Sequence, residues 1–384
     1  MFDYDETASL IQELIKRPSR NPPGDEKECA LFIYGYLQLH GIEAKLVDSP
    51  YPGRPQVVAW VRGSSSSPTL ILNGHIDVVP EGDPSAWSVP PYGGIIREGK
   101  VFGRGAGDMK GGLAAMMLTA RVLKKAEPLQ GTLMLQFVIG EEAGEPGTRH
   151  LLVDQGYGGD WGIVLEATEL KVSPAQNGLI WYQIDIYGNQ AHASRPQDGV
   201  NAIARAAQLA TQIEAYGNTL VKKTHPLGNI ASASVTMIDG GIKENIIPDH
   251  CRIRLDRRIL PGETVAAVDA EMNEMINTAS EAYPDTKYNL KKLQVFESAE
   301  IDPDNPLART LHRHSRIIAD IPDTYWGESG ATDARNFVND AKIPCVVWGP
   351  GDHEGAHIVD EYIKVDEVIK SISILSETAR ELLG

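Results

Sequence analysis

The sequence predicts an α/β domain built on a mostly parallel central sheet flanked by helices, interrupted by a smaller inserted α+β domain. Three observations predict it. Residues 57–61, 69–72, 132–139 and 162–165 are runs apolar on both faces, as strands covered on two sides require. Segments of helical period separate several of these runs. Over residues 178–292 the order changes to β-α-β-β-α-β, the split pattern of a ferredoxin-like fold.

The elements follow in chain order. Ala8, Leu10, Ile11, Leu14 and Ile15 fall at helical spacing over residues 5–16, and Pro18 stops that helix. A second helix is expected over 26–40, ending at Gly41. Residues 64–67, all serine, read as a turn between strands, and 111–125 read as a helix. In the insert, 179–187 alternates like a half-exposed strand, 201–215 is a helix, and 230–238 and 251–255 are strands. A helix over 264–282 and a strand over 288–296 complete it. The first style then returns with a helix around 307–318, a strand at 344–348 and a final helix at 365–383. The expected division is a discontinuous domain of 1–177 with 293–384, around an insert of 178–292. A chain of 384 residues is too long for one average core, which agrees with two domains.

Composition narrows the function. Hydrophobic residues make 42% and charged residues 23%, ordinary for a soluble globular protein. A formal net charge of -16 disfavours nucleic acid and anionic membrane as partners, since both reward basic surface. No run of about 18 apolar residues is present to span a bilayer. The three cysteines, Cys29, Cys251 and Cys345, are far apart and odd in number, so a disulfide framework is not expected and a reducing cytoplasm is. Asp3, Asp5, Glu6 and Glu13 stand where a secretory signal would be basic and then apolar.

The chemistry lies in five short segments. Asn73-Gly74-His75-Ile76-Asp77 follows an apolar run, and in extended chain His75 and Asp77 share a face. An imidazole that binds a metal needs a partner on its other nitrogen, so His75 reads as a ligand and Asp77 as its orienter. A strand-end histidine with a turn aspartate is the plainer alternative. The stretch from Gly103 to Gly112 packs five glycines around Asp108. A phosphate loop would need a spacing that is absent, whereas a tight turn or an N-cap for the next helix stays open. Glu141-Glu142 closes another apolar run. Adjacent carboxylates there point to different places, so one can bind a metal while its neighbour acts on a water; a solvated acidic loop is the other reading. Glu166 again follows an apolar run, and His357 in Gly355-Ala356-His357 lies beyond the last strand.

Together His75, Asp108, Glu142, Glu166 and His357 follow strands or sit in glycine-rich loops. In an open α/β sheet the carboxyl ends of strands are where sites form. Two histidines and three carboxylates suffice for two divalent ions if one carboxylate bridges, leaving a formal charge of about +1. The N/O donor set suits zinc, cobalt or manganese better than calcium.

At this point the chain resembles the dinuclear zinc aminoacylase and carboxypeptidase family, which includes acetylornithine deacetylase and succinyl-diaminopimelate desuccinylase. The match runs in the family's order. It takes in Gly74-His75-Ile76-Asp77-Val78-Val79-Pro80, Trp87 with Pro90-Pro91-Tyr92, the glycine-rich stretch, Gly140-Glu141-Glu142 and Ala191-His192-Ala193. Asn245-Ile246-Ile247-Pro248, Asp256-Arg257-Arg258, and Gly355-Ala356-His357 with Asp360-Glu361-Tyr362 complete it. The resemblance implies that His75 and Glu166 bind one zinc, that Glu142 and His357 bind the other, and that Asp108 bridges them. It implies Asp77 as support for His75, Glu141 as general base, and a cis peptide after Asp108.

The same resemblance makes the insert a dimerisation (lid) domain whose His192 reaches a partner's active site and stabilises the oxyanion. Arg258, with Asn245 beside it, is implied as the binder of a substrate carboxylate, a task that suits a planar bidentate donor. Arg257 is the alternative partner, and a surface salt bridge the plainer role for either. Gly330 and Thr332, in Ser329-Gly330-Ala331-Thr332-Asp333, are implied as substrate contacts. Many relatives carry Glu-Pro where this chain has Glu166-Ala167, and its segments mix deacetylase-like and desuccinylase-like features, which suggests a less specialised branch. The implied activity is hydrolysis of a small N-acyl amino acid or amine by a cytoplasmic homodimer. A metallo-exopeptidase on the same scaffold, and a catalytically silent binding protein, are the alternatives.

Overall fold

The computed structural model describes residues 3–384. The chain folds as two compact units. One runs to Pro174 and takes in Ile301–Trp326 and Thr332–Gly384, and the other comprises Ala175–Glu300 and Gly327–Ala331.

The first unit opens with helices α1 (Tyr4–Ile15) and α2 (Lys27–Leu39), then strands β1 (Glu43–Val47), β2 (Gln56–Arg62) and β3 (Thr69–His75). Helix α3 (Gly111–Lys125) and strands β4 (Thr132–Val138) and β5 (Trp161–Val164) follow. The second unit holds β6 (Gly178–Tyr187), α4 (Ala202–Leu220), β7 (Ser232–Gly240), β8 (His250–Ile259), α5 (Val265–Ala282) and β9 (Lys287–Phe296). Helix α6 (Pro306–Ala319), strand β10 (Cys345–Val347) and helix α7 (Val365–Leu383) return to the first unit.

The main sheet runs β1-β2-β4-β3-β5-β10. The pairs β4/β3, β3/β5 and β5/β10 are parallel, whereas β1/β2 and β2/β4 are antiparallel. The four parallel neighbours therefore lie together, with their carboxyl ends at one edge of the sheet. Strands β3 and β4 are buried along their whole length, which is why they carry no polar alternation. Helix α3 is buried on almost every side, and its glycines and alanines allow close approach. Helix α7 buries Val365, Val368, Ile372, Leu375, Ala379 and Leu383 at three- and four-residue spacing, against α1, α3 and α6. Each such Val, Ile or Leu contributes about 1.5–3 kcal/mol relative to an exposed position.

In the second unit the order β7-β8-β6-β9 is antiparallel throughout. Alternate residues of β8 are buried, so Cys251, Ile253, Leu255, Arg257 and Ile259 share one face. That face packs with Ile180, Tyr182, Ile184 and Ile186 of β6 against α4 and α5.

The unit boundary falls at Glu300 rather than 292. Strand β9 pairs with β6 from Lys287 to Phe296, so residues on both sides of 292 belong to one ladder. Residues 327–331 also join the second unit, because Gly327–Glu328 pairs with Ala175–Gln176. No helix among the described residues is long and apolar enough to cross a membrane.

Candidate metal centre

Three strand ends, one later loop and the approach to a helix supply the cluster. His75 is the last residue of β3. Glu141 and Glu142 follow β4 after Gly140, which has a left-handed φ of 83° and where a Cβ would lie 2.5 Å from Glu145 Cβ, so the turn requires glycine. Glu166 follows β5 by two residues. His357, beyond β10, has φ 63°. Asp108 lies three residues before α3 with extended backbone (φ -122°, ψ 95°), and the Asp108–Met109 peptide is cis.

The five side chains converge. His75 Nε2 lies 2.9 Å from Asp108 Oδ1 and 3.6 Å from Glu166 Oε1. His357 Nε2 lies 3.2 Å from Asp108 Oδ2 and 3.1 Å from Glu142 Oε2. Ligand atoms of His75, Asp108 and Glu142 all fall within 4.8 Å of one another. Asp108 thus stands between two histidine–carboxylate pairs, one oxygen toward each.

The electrostatics fit cations. Burial pulls the His75 imidazole down, but Glu166 and Asp108 outweigh it and hold its pKa well above the usual range. Hydrogen bonds donated by the His357 ring to Asp108 and Glu142 do the same for His357. Burial and neighbouring carboxylates raise Glu142 and Glu166. Burial raises Glu141 as well, as do Glu166, Asp333 and Glu142. Asp108 is held far down, because both histidines overcome its desolvation. Two imidazole nitrogens among buried carboxylates form a donor set that divalent ions of the zinc type fit.

Asp77 is fully buried, and the atom that orients His75 is its backbone oxygen, 2.9 Å from Nδ1. Its carboxylate is 3.7 Å from that nitrogen. The carboxylate instead accepts the backbone N–H groups of Gly140 (2.9 Å), Glu141 (3.3 Å) and Glu142 (3.2 Å). Asp77 therefore braces the segment that carries both glutamates. Asn21 Nδ2 adds a donor at 3.1 Å and also reaches Glu145 at 3.2 Å; Arg54 joins Glu145 to the buried Glu26. No sequence signal pointed to Asn21, Arg54 or Glu26. The Glu141 side chain carries no hydrogen bond or ion pair among the described residues.

The other expected site residues are divided between the two units. His192, Asn245, Arg258 and Gly330 belong to the second unit, and Thr332 to the first. Ala191–His192 pairs with Ile246–Ile247, and the Ala193 N–H donates to the Asn245 carbonyl at 3.0 Å, which sets His192 near Asn245. The Ser194 N–H donates to His192 Nδ1 at 3.1 Å, so in the neutral ring the proton sits on an exposed Nε2. Arg258 Nε donates to Asp256 at 2.8 Å. Arg257 is fully buried, with its guanidinium committed to Tyr216 and Glu263. Thr332 accepts the Ala334 N–H at 3.2 Å, and Gly330 N–H donates to Glu328.

The sequence profile of Peptidase family M20/M25/M40 matches residues 71–381. The N-formyl-4-amino-5-aminomethyl-2-methylpyrimidine deformylase of Bacillus subtilis is 30% identical, over 97% of this chain and 93% of that one. A probable succinyl-diaminopimelate desuccinylase of Staphylococcus aureus is 28% identical, over 100% and 98%. Among solved structures, a Staphylococcus aureus tripeptidase aligns with TM-score 0.82 at 20% identity, covering 100% of this chain and 99% of that one. A metallo-carboxypeptidase from Sulfolobus solfataricus aligns at 0.80 with 18% identity, covering 99% of each.

Proposed function

The chain belongs to peptidase family M20/M25/M40 and is a hydrolase of that family, and from that premise we propose that it cleaves the amide bond of a small N-acyl compound using two divalent ions. The observation that carries the reading is the Asp108 carboxylate, whose two oxygens face two different imidazoles at 2.9 and 3.2 Å. That placement suits one carboxylate shared by two ions. His75 and Glu166 would hold the first, Glu142 and His357 the second, and Asp108 both. When bound, such ions supply Lewis acidity, lowering the pKa of a water and polarising the acyl carbonyl. Zinc suits the donors best, with cobalt or manganese as alternatives.

Glu141 is the general base in this reading. Its backbone is pinned by Asp77, and its carboxylate is left uncommitted to take the proton of the attacking water and return it to the departing nitrogen. His192 offers an Nε2–H donor for the oxyanion, contributed from a second copy of the chain. Arg258 spends Nε on Asp256, while its two Nη groups have no partner among the described residues and suit a substrate carboxylate. Asn245, Gly330 and Thr332 are assigned to substrate contact. A homodimer is supported by the edge strand β7, which pairs on one side alone and exposes Met237 and Ile238, with Ile242 nearby. Three free, buried cysteines are compatible with a reducing cytoplasm.

The names of the curated relatives favour a formyl or succinyl amide. The test is a panel of N-formyl aminopyrimidines, N-succinyl and N-acetyl amino acids, and dipeptides, offered to zinc- or cobalt-reconstituted protein. Turnover of an N-acyl compound above that of dipeptides is expected. Glu141→Gln should lower it about 10²–10⁴-fold with metal content unchanged. Failure of every substrate with two ions bound would overturn the proposal.

A further inference from the structure

The segment Asp360-Glu361-Tyr362 supplies no ligand to the cluster, yet Glu361 is 1% exposed and its carboxylate is fully engaged. Oε1 accepts the backbone N–H groups of Gly107 at 2.9 Å and Asp108 at 3.1 Å. Oε2 accepts from Arg104 Nη1 at 2.6 Å. The Glu361 carbonyl accepts the Gly103 N–H at 2.8 Å, and Tyr362–Lys364 then pairs antiparallel with Lys100–Phe102. Arg104 is 3% exposed, and its other terminal nitrogen points to the His357 carbonyl at 3.5 Å. The Trp87 ring covers the guanidinium at 5.1 Å. One buried ion pair thus joins the loop that carries Asp108 to the segment that carries His357.

The chemistry of the joint is specific. Every neighbour of the Glu361 carboxylate is a donor, so a carboxamide there would turn its own N–H₂ toward another donor. A single-point cation in place of Arg104 would lose the second contact, to the His357 backbone. The His75–Glu166 pair has no hydrogen bond to either residue among those described.

We propose that Glu361 and Arg104 are a positioning pair that fixes the separation of Asp108 from His357, and so sets the affinity for the ion these two share with Glu142. The inference rests on the two-ion reading above, and it adds that the two ions depend unequally on this pair.

The experiment is titration of Co²⁺ or Zn²⁺ into the metal-stripped full chain against a chromophoric chelator. Wild type should take up two ions. Glu361→Gln should weaken one dissociation constant about 10–100-fold and leave the other within roughly threefold. Arg104→Lys should weaken the same constant by less, and it carries the test if Glu361→Gln does not yield folded protein. Two ions bound by the variants with both constants unchanged, or both weakened alike, would overturn the pair's role alone. A wild type that binds no ion would overturn the two-ion reading and this inference with it.

Discussion

Asp77 illustrates how much one buried carboxylate can fix. Three consecutive backbone N–H groups, those of Gly140, Glu141 and Glu142, converge on it, and its own carbonyl orients His75. An ionised carboxylate offers about four acceptor sites, enough for these donors and for Asn21. Asparagine has the same shape but one acceptor oxygen, and its N–H₂ would face an N–H donor. Asp77→Asn should therefore lower turnover about 10–100-fold and weaken metal binding, since both Glu141 and Glu142 lose their brace. Steady-state kinetics with metal analysis would check this; wild-type values for both would mean that the brace is dispensable.

At the scale of elements, the site depends on how closely α3 approaches the end of β5. A Cβ on Gly112 would lie 2.5 Å from the Leu165 carbonyl oxygen, one residue before Glu166. That oxygen is backbone and cannot rotate away, so the helix start and the strand end must separate. Gly112→Ala should cost about 1–3 kcal/mol, as overpacking does elsewhere. It should also weaken metal binding, because Asp108 and Glu166 sit on the two sides of the gap. Thermal unfolding of the metal-free and metal-loaded variant would read both effects. A variant destabilised with intact metal affinity would place the glycine in packing alone.

For the whole molecule, the proposed dimer joins the fold to the reaction. An isologous pair places the same surface of each copy against the other. If His192 serves the partner's site, His192→Ala and Glu141→Gln complement each other, because a mixed dimer holds one site with both groups intact. Each variant alone should be nearly inactive, and mixing them under subunit exchange should recover roughly a quarter of wild-type activity. No recovery after exchange is demonstrated by mass would count against the trans arrangement.

Local rules made the five proposed ligands legible in the sequence. An apolar run followed by glycine or a turn marks a strand end, and His75, Glu142 and Glu166 each follow such a run. The long helices were equally plain, because their apolar spacing is a property of neighbouring residues. Short-range pattern says nothing of what meets across the fold. His357 and Glu142 are 215 positions apart, and Glu361 reaches Gly107 across 254. Only the folded chain decided that the Asp77 carboxylate serves the glutamate segment, that Arg257 turns inward while Arg258 stays partly exposed, and that Glu361 is tied to Arg104. Side-chain type fixes what a group can bond; which bond it makes depends on which donors close packing brings within about 3 Å.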